Sequence, residues 1–386
     1  MHKSNANTCL AVTCYKITPP IQGGQKNAYY FYQALGKITN LHVLGTNDNE
    51  VPRDFSGKFD GCFQTDISRY ASPLLPMQIF QKMRKAGADI LILEHPYLGW
   101  AAILLKVFCR INFVIHSQNI EAMRFKSMGK WWWRGLLFYE KWTHRFAEHQ
   151  FFITPEDMHF AIGRFGLQEN KCSVIPYGIN EETPPSLEQR AEARSALLKK
   201  HQLSDDTCLM LFNGALSYEP NRKALELIIE KINPLLENKF GSAYQILVCG
   251  GGLSDQFQAL KEGKIRGMHY AGFVDDIKDY YLGCDLFLNP VNEGGGIKTK
   301  LVEAIGFGLT AISTRTGAFG VPKETAPEKL WVVEDEQIEA FVKLVLTAFQ
   351  EYRFSTTPAS FYAHFSWNAI ARRAADTLNA MRHKTL

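Results

Sequence analysis

The 386-residue sequence lacks the features that mark several large classes of protein. Its eight cysteines form no C-x-x-C pair, no apolar run is long enough to span a bilayer, and no short-period repeat is present. Scattered cysteines within apolar runs are typical of buried free thiols in a reducing compartment, not of disulfides or a zinc site. Because no long apolar stretch precedes a small-residue cleavage site, we expect no signal peptide and a cytoplasmic protein.

A strong charge of one sign is also lacking, but the charge is unevenly distributed. The formal net charge is +4, too small to indicate nucleic acid as the main partner. Residues 1–178 contain 20 lysines and arginines against 13 acidic residues, whereas residues 179–386 contain 23 against 26. The basic first half suggests an anionic partner for that half. Random variation of surface charge is the alternative.

Short apolar runs alternate with longer stretches of helical period, and this rhythm occurs twice. The predicted strands are 10–13, 41–44, 90–93, 113–115, 151–153 and 173–175, then 209–212, 245–248, 268–270, 286–288, 310–313 and 330–333. Such runs predict an α/β protein with parallel strands covered by helices on both faces. A hydrophilic stretch at 180–185 separates the two halves, and the apolar spacing after residue 366 predicts one closing helix.

A glycine-rich turn followed by two lysines is the most informative segment. Three glycines at 294–296 follow a predicted strand and precede a helical pattern, so backbone N–H groups can approach an anion there. Lys298 and Lys300 add positive charge that suits a diphosphate. Glu303 shares a helix face with Lys300 and can accept hydrogen bonds from ribose hydroxyls. The alternative is a flexible turn before an ordinary amphipathic helix.

Several segments resemble the motifs of GT-B glycosyltransferases, most closely family 4 of the retaining enzymes. The similar segments are PPIQGG at 19–24, IHSQNIE at 115–121, VIPYGI at 174–179, FNGAL at 212–216 with EPN at 219–221, YAGFV at 270–274, NEGGGIKTKLVEA at 292–304 and GFGLTAIS at 306–313. They keep the family's order. The likeness is specific for the family and does not identify the sugar.

The resemblance implies a fold and an activity. The fold would be two Rossmann-like domains facing a central cleft: an acceptor-side domain at 1–178, a donor-binding domain at 179–360, and a helix within 361–386 that returns to the first domain. The activity would be transfer of a sugar from a UDP- or GDP-linked donor to a glycan or lipid-linked acceptor, with retention, in cell-surface polysaccharide or glycoconjugate synthesis. The resemblance implies no metal or other cofactor, and the leaving diphosphate would assist deprotonation of the acceptor.

The resemblance also implies roles for individual residues. His116, Lys300 and Glu293 would be catalytic, with His116 contacting the donor sugar or supporting the reacting centre. Asn119 and Glu121 would bind or support the acceptor, although Glu121 could equally cap a helix. The donor-binding residues would be Gly23, Gly24, Gly214, Arg222, Gly272, Phe273, Val274, Gly294, Gly295, Gly296, Ile297, Lys298 and Glu303.

Two positions depart from the family pattern. Where the family has its first glutamate, eight residues before Glu303, this chain has Gly295, so Glu293 is the candidate for that role. The family's G-R pair reads Gly214-Ala215, so Arg222, Lys298 or Lys300 would have to contact the diphosphate instead. For Arg222, an exposed helix position is an equal alternative.

Residues 125–146 interleave aromatic and basic side chains, including three consecutive tryptophans at 131–133. This composition is typical of a membrane interface with anionic lipid. A core helix with a charged solvent face is the alternative, but three consecutive tryptophans cannot all face one core. A lipid-linked acceptor at the inner membrane surface would account for both this segment and the basic first half.

The sequence also bears on other possible functions. The glycines at 250–252 lack the G-x-G-x-x-G spacing of a dehydrogenase, and Asp275 and Asp276 are interpreted as helix caps, not as metal ligands. Two alternatives stay open. One is a nucleotide-sugar epimerase of the same architecture, and the other is a non-catalytic nucleotide-binding partner of another transferase, which Ala215 and Gly295 at normally charged positions would explain.

Overall fold

The computed structural model describes residues 7–352 and 355–382, and the chain divides into two compact units. Unit 1 comprises Met1–Asn180 and Phe365–Leu386, and unit 2 comprises Glu181–His364. Residues 1–6, which begin the N-terminal segment for which no signal peptide is expected, lie outside the described residues. So do residues 353–354 of the predicted donor domain and residues 383–386 of the predicted closing segment.

Unit 1 is built on seven parallel strands. They are β1 (Thr8–Val12), β2 (Asn40–Thr46), β3 (Lys58–Phe63), β4 (Ile90–Glu94), β5 (Asn112–Ser117), β6 (His149–Phe152) and β7 (Cys172–Val174). Their order in the sheet is β3-β2-β1-β4-β5-β6-β7. All residues of β4 are buried, as expected for a central strand of a parallel sheet.

Within the described part of unit 1, seven helices precede the linker to unit 2. They are α1 (Gly23–Ile38), α2 (Ser68–Ala71), α3 (Leu75–Ala86), α4 (Gly99–Cys109), α5 (Glu121–Ser127), α6 (Trp133–Phe146) and α7 (Pro155–Phe165), with 3-10 turns at Pro96–Leu98 and Glu169–Lys171. Local sequence sets their ends. Thr154 caps α7 by accepting the N–H of Asp157 at 3.1 Å, and Gly166, with φ 70°, ends the helix.

Unit 2 contains six parallel strands. They are β8 (Cys208–Asn213), β9 (Tyr244–Cys249), β10 (Met268–Gly272), β11 (Leu286–Asn289), β12 (Thr310–Thr314) and β13 (Leu330–Val333), in the order β10-β9-β8-β11-β12-β13. The first six strands of unit 1 and the six of unit 2 both follow the Rossmann order 3-2-1-4-5-6. The predicted α/β class with two Rossmann-like domains is therefore confirmed.

Eight helices accompany the sheet of unit 2, the last of which ends at the boundary with unit 1. They are α8 (Leu187–Lys200), α9 (Glu219–Leu227), α10 (Asn233–Phe240), α11 (Gln258–Lys261), α12 (Lys278–Gly283), α13 (Thr299–Gly306), α14 (Ile338–Thr347) and α15 (Ala359–Phe365). Short 3-10 turns lie at Asp255–Phe257 and Lys323–Thr325, and π-helical turns at Ile228–Ile232 and Ala348–Tyr352. The core of unit 2 packs apolar side chains of these helices against the strands.

The last helix, α16 (Trp367–Arg382), belongs to unit 1 and packs on α1. The Trp367 ring stacks on Tyr30 with 6.1 Å between ring centroids. Just before the helix, Ser366 pairs with Ile179 in a parallel bridge, so the segment that leaves unit 1 lies beside the segment that returns to it. The predicted closing helix is thus present and packs on the N-terminal domain.

All twelve predicted strands are present, and β3 is a strand that the sequence pattern did not predict. Its sequence, KFDGCF, contains two charged residues and a glycine, and half of its residues are exposed. β3 pairs only with β2, at the edge of the sheet. Strands are predicted from continuous apolar runs, and an edge strand of this composition has none.

The cysteines are free, as their spacing predicted. Five are buried: Cys9, Cys14, Cys208, Cys249 and Cys284. Cys62 and Cys172 are partly buried. Cys109, at the end of α4, is exposed, so the expectation of a buried thiol does not hold there.

Candidate functional site

Strand order places a ligand-binding edge in each unit. The order reverses between β1 and β4 in unit 1 and between β8 and β11 in unit 2. In open α/β sheets, ligands bind beside the carboxyl ends of the strands at this reversal. The loops that follow these four strands are therefore where functional side chains are expected.

In unit 2, Lys300 reaches from the first turn of α13 to the end of β8. Its Nζ donates to the carbonyl oxygen of Asn213 at 2.7 Å and to Oδ1 of Asn221 at 2.8 Å, and it lies over the Phe212 ring. Burial, together with nearby Lys298, lowers the pKa of Lys300 to about 8. Since neutral oxygens hold the ammonium, its hydrogen-bond partners do not neutralise its charge.

The predicted glycine turn leads from β11 into α13. Gly294 and Gly296 have φ of 89° and 73°, a region that favours glycine, and a Cβ at Gly295 would meet no atom within 4 Å. Ile297 is partly buried. Lys298 folds back on the turn, where its Nζ donates to the carbonyls of Gly294 at 2.8 Å and Gly296 at 3.0 Å. Burial lowers the pKa of Lys298 to about 8, and this lysine stabilises the turn.

Glu303 lies one turn further along α13 and joins the same cluster. Its Oε2 accepts a hydrogen bond from the hydroxyl of Tyr281 at 3.2 Å. That hydroxyl in turn accepts one from Nδ2 of Asn213 at 2.9 Å. Asn213 therefore contacts the lysine through its carbonyl and the tyrosine–glutamate pair through its side chain.

Glycines bring the ends of β8, β9 and β10 close together. A Cβ at Gly214, where φ is 147°, would lie 2.6 Å from Nζ of Lys300. A Cβ at Gly250 would overlap the carbonyl oxygen of Gly214, and the N–H of Gly250 donates to Gly272 at 2.8 Å. Only glycine permits this backbone approach beside the ammonium.

The loop predicted to contact a nucleobase begins at Gly272, whose φ is 73°. The Phe273 side chain is 76% exposed, and a Cβ at Gly251 would come within 3.7 Å of it. Val274 is partly buried. The loop thus presents an aromatic ring to solvent next to the glycine-lined strand ends.

Two predicted site residues make their ion pairs away from this cluster. Glu293 pairs with Lys223 of α9 at 2.7 Å, and its side chain is half exposed. Arg222 pairs with Glu226 one turn along α9, also at 2.7 Å. Neither contacts Lys300.

The adjacent aspartates lie at a helix start, as interpreted from the sequence. Oδ1 of Asp276 accepts the N–H of Lys278, the first residue of α12, at 2.8 Å. Within the described residues, no group of three or more His, Cys, Asp or Glu side chains is placed to hold a metal ion. Asp276 thus accepts a hydrogen bond just before α12, but the N-cap residue is Ile277, so the interpretation of the aspartates as N-caps is wrong in that detail.

In unit 1, a buried network surrounds Glu94 at the carboxyl end of β4. Its Oε2 accepts from the hydroxyl of Tyr32 at 2.7 Å and lies 2.9 Å from Nδ1 of His116, and its Oε1 accepts from Gln118 at 2.6 Å. Burial alone would raise the pKa of Glu94, but His116 and Tyr32 bring it down to about 2.

His116 is completely buried in β5, with its ring against Phe31 at 4.6 Å between centroids. Glu94 orients the imidazole through Nδ1. Among the described residues, Nε2 has no hydrogen-bond partner. Of the two roles that the resemblance implied, this burial favours support of the reacting centre over direct contact with the sugar.

Gln118 connects this network to the glycine loop. Its Nε2 also lies 3.1 Å from the carbonyl of Gly24 and 3.0 Å from the hydroxyl of Tyr15. Gly23 and Gly24 are exposed and begin α1, so the helix N-terminus offers N–H groups to an anion. Glu94, Gln118 and the start of α1 thus form one connected group.

Glu121 is the centre of a second buried network in unit 1. Its Oε2 accepts from the hydroxyl of Tyr97 at 2.6 Å and from Arg124 at 2.7 Å, and Oε1 lies 3.2 Å from Nδ1 of His95. Burial would raise the pKa of Glu121, but these neighbours lower it to about 2. Asn119 contacts the same carboxylate at 3.4 Å.

Glu121 is the first residue of α5, but its carboxylate does not cap that helix. The cap comes from Glu140 of α6, whose two oxygens accept the N–H groups of Glu121 at 2.8 Å and Ala122 at 2.9 Å. Burial raises the pKa of Glu140 to about 7. The Glu121 carboxylate instead contacts Tyr97, Arg124 and His95.

Some residues of these networks were not predicted from the sequence as site residues. In unit 2 they are Asn213, Asn221 and Tyr281; in unit 1 they are Glu94, His95, Tyr32 and Gln118. A usable signal existed for Glu94, a charged residue directly after the apolar run 90–93. Tyr32 and Tyr281 lie on helices and carried no such signal.

The aromatic and basic segment forms an exposed surface on unit 1. Trp131 is 88% exposed, and Phe138 and Trp142 of α6 are also exposed. Phe108 of α4, a helix that contacts α6, is 78% exposed. Trp133 instead lies against Lys126 and Arg134. Within residues 7–352 and 355–382, no helix combines the length and apolar character needed to cross a membrane.

Solved structures with the same fold span nearly the whole chain. Sucrose-phosphate synthase from Thermosynechococcus elongatus is 14% identical, with a TM-score of 0.71, covering 98% of this chain and 100% of that one. Anabaena HepE in complex with UDP is 13% identical, with a TM-score of 0.70 and coverage of 97% and 100%. The lipopolysaccharide outer core galactosyltransferase WaaB is 14% identical, with a TM-score of 0.61 and coverage of 97% and 99%.

Sequence-family models match both units. Residues 41–183 match Glycosyltransferase Family 4, and residues 207–351 match Glycosyl transferases group 1. A comparison with curated proteins found no match. The first matched segment includes Glu94, His116 and Glu121, and the second includes Lys300 and the glycine turn. The chain thus belongs to the group 1 and family 4 glycosyltransferases and has the GT-B fold.

Proposed function

We propose that the protein transfers a sugar, with retention of configuration, from a UDP- or GDP-linked donor to a glycan or lipid-linked acceptor. The product would enter a cell-surface polysaccharide or glycoconjugate. HepE, which shares the fold, has been solved with UDP and with UDP-glucose, and WaaB is a lipopolysaccharide galactosyltransferase. These neighbours favour UDP over GDP and a cell-surface glycan as the product.

The observation that carries the proposal is the ammonium of Lys300 beside the glycine-lined ends of β8 to β10. When a nucleotide-sugar bond breaks, negative charge gathers on the leaving diphosphate. A cation and backbone N–H groups already in place stabilise that charge without reorganisation. Lys300, held by neutral oxygens, supplies the cation, and the turn at 294–296 supplies N–H groups.

The remaining donor contacts follow from the same arrangement. Glu303 would accept hydrogen bonds from the ribose hydroxyls, and the exposed Phe273, with the backbone of Gly272 and Val274, would contact the base. Gly214, Ile297 and Lys298 would shape the diphosphate site. Arg222 and Glu293 would take part only after exchanging their present partners, Glu226 and Lys223. In this scheme the nucleotide-sugar is a co-substrate, and no cofactor is required.

Unit 1 would hold the acceptor. Gly23 and Gly24 would direct N–H groups at its anionic part or at the donor diphosphate, and Asn119 and Glu121 would contact or support its hydroxyls. His116 would support the reacting centre from its buried position. A lipid-linked acceptor fits the exposed aromatic and basic surface, which would hold the protein at the cytoplasmic face of the inner membrane.

A binding panel with matched variants tests the donor site. Thermal shift and calorimetry with UDP- and GDP-sugars should show one preferred donor. Lys300→Ala and Glu303→Ala should each weaken its binding about tenfold or more, because each removes a charge-assisted contact. Lys264→Ala, which alters an exposed pair with Glu262 elsewhere in unit 2, is the control and should bind normally.

Donor affinity at the wild-type level in both Lys300→Ala and Glu303→Ala would place the donor elsewhere. Transfer is then assayed with lipid-linked and free glycan acceptors, and the anomeric configuration of the product decides retention. Formation of an epimer from nucleotide-sugar alone would show an epimerase instead. Binding without transfer or hydrolysis for any acceptor would show a non-catalytic partner.

A further inference from the structure

His95, directly after β4, has a backbone conformation that residues other than glycine rarely adopt. Its φ is 66° and its ψ is 162°. Arg110 also has a positive φ, 56°, but with ψ 31° it takes the left-handed form that commonly ends a helix, here α4. The extended form at His95 is nearly exclusive to glycine and persists only where surrounding structure enforces it. Such strain is concentrated at functional sites.

The strained backbone places the His95 ring in the Glu121 network. Nδ1 is buried and lies 3.2 Å from Oε1 of Glu121, an ion-pair contact that does not meet hydrogen-bond geometry, and the ring contacts those of Tyr15 and Tyr97, at 5.6 and 5.3 Å between centroids. The side chain is 9% exposed. Since Nδ1 is buried, that exposure belongs to another part of the side chain. Among the described residues, no hydrogen bond to Nε2 is present.

Charged groups on several elements surround this imidazole. Burial lowers the pKa of His95, but Glu121 on α5 and Glu94 on β4 outweigh it, so the pKa lies above its ordinary value. Arg124 on α5 acts in the opposite direction. Glu140 on α6, whose pKa His95 lowers, and the hydroxyls of Tyr15 and Tyr97 complete the surroundings. The ring therefore keeps its second proton to a higher pH than a free histidine.

The position of His95 in the sheet also points to a ligand. It follows β4, and Tyr15 follows β1, so both lie at the strand reversal of unit 1 where α/β sheets bind ligands. Its backbone N–H donates to the carbonyl of His116 at 2.9 Å, which ties it to the neighbouring network.

We propose that His95 is a substrate-binding residue of unit 1, kept in a strained backbone so that Nε2–H donates to an oxygen of the acceptor. Glu121 holds the ring through Nδ1 and keeps it protonated. The inference rests on the proposed function, because the acceptor is the ligand of unit 1 in that scheme. It adds a residue that the family motifs did not indicate.

Two substitutions separate strain from function. His95→Ala removes the ring and keeps the strained backbone, whereas His95→Gly removes the ring and relieves the strain. We expect a higher melting temperature for His95→Gly than for His95→Ala. Both should lose about tenfold or more in kcat/KM for the acceptor, with unchanged donor affinity, since one charge-assisted hydrogen bond is lost. Arg110→Gly, which relieves backbone strain at the end of α4, is the control and should keep full activity.

The pH profile supplies a readout that a purely structural role would not change. With donor saturating, wild-type kcat/KM for the acceptor should fall as pH rises through the raised pKa of His95, because the imidazolium is lost. Glu121→Gln removes the carboxylate that raises this pKa, so the same fall should occur at lower pH. An unchanged midpoint in Glu121→Gln would contradict the proposal.

The outcomes can be told apart. Suppose that the wild type transfers sugar and that His95→Gly is both more stable and more active than His95→Ala, or as active as the wild type. His95 is then a structural residue, and the inference fails while the proposed function stands. If the wild type neither binds a nucleotide-sugar nor transfers a sugar, the proposed function fails and the inference fails with it. Recovered stability without recovered activity is the result that supports both.

Discussion

Two charged side chains in this protein, one buried and one partly buried, are held in two different ways. Glu94 in unit 1 is compensated by His116, Tyr32 and Gln118, so its charge is balanced within the fold. Lys300 in unit 2 is held by a carbonyl and an amide oxygen, which solvate the ammonium without neutralising it. An incoming diphosphate would complete the second arrangement and leave the first unchanged.

Donor affinity should therefore depend on pH. The pKa of Lys300 is lowered to about 8, so the ammonium predominates below that pH and is lost above it. Between pH 7 and 9.5, calorimetry with the preferred donor should show affinity falling, by up to about tenfold per pH unit above the pKa. Lys298, with a pKa of about 8, contributes to the same fall.

Lys300→Arg is the matched variant for this titration. Arginine stays protonated throughout the range, so the fall in affinity should be smaller than in the wild type, even if the affinity at pH 7 is lower. Wild-type affinity that stays constant from pH 7 to 9.5 would show that the charge of Lys300 does not contribute to donor binding.

The sequence predicted the glycine turn and Lys300 because residue type and spacing carry that chemistry locally. It did not predict which partners the charges would take. Glu293 and Lys223 are 70 positions apart and meet only through the packing of α9 beside the turn. Nothing local predicted Tyr281 beside Glu303 either, since that contact depends on how α12 packs against α13. Side-chain pairing of this kind is decided by tertiary structure.

Helices and strands were predicted well wherever one apolar pattern decided the outcome. The twelve predicted strands are buried or half-buried segments of parallel sheets, for which an apolar run is the physical requirement. β3 lies at a sheet edge, where half of the strand faces solvent and glycine and charge are tolerated, so the pattern is weak. The closing helix was predicted from its period, whereas its partner, α1, follows only from the fold.

The contact of α16 with the linker makes Gly178 a sensitive position. A Cβ there would lie 2.5 Å from the Trp367 ring and 2.9 Å from Ile370. Gly178→Ala should lower the free energy of unfolding by about 1–3 kcal/mol through overpacking. Six of the seven tryptophans lie in unit 1, so urea unfolding followed by tryptophan fluorescence reports on it.

Gly163→Ala is the control for that measurement. Gly163 lies in α7, where a Cβ would meet nothing within 4 Å, so alanine should raise the free energy of unfolding by about 0.5–1 kcal/mol. Equal effects of the two alanines would mean that Trp367 does not pack tightly against Gly178.

Across the chain, charge and exposed apolar area coincide in unit 1. Its first 178 residues have 20 basic against 13 acidic side chains, whereas acidic side chains are in excess in the rest of the chain. The exposed aromatic side chains of α4 and α6 lie among lysines and arginines, and the one acidic residue of α6, Glu140, is buried. This combination complements a bilayer that contains anionic lipid.

Membrane binding is measured by sedimentation with phosphatidylcholine vesicles with and without phosphatidylglycerol. The wild type should bind the anionic vesicles more tightly, and less so at high salt. Replacing Trp131, Phe138 and Trp142 with serine should weaken binding more than about tenfold, since each buried aromatic is worth about 1.5–3 kcal/mol. Leu187→Ser, at an exposed leucine of unit 2, should bind like the wild type.

Donor affinity should stay unchanged in the triple serine variant, because none of its positions contacts Lys300 or the glycine turn. Vesicle binding that equals the wild type would assign these aromatic side chains another role.

The bridge between Ile179 and Ser366 brings the two ends of unit 2 together. The N–H of Ile179 donates to the carbonyl of Phe365, and the N–H of Trp367 donates to the carbonyl of Ile179. These bonds hold together the two chain segments that flank residues 181–364. Unit 2 is thus inserted into unit 1 at a single junction. A homologous unit with similarly spaced ends could be exchanged at that junction by recombination or engineering without any change to the rest of unit 1.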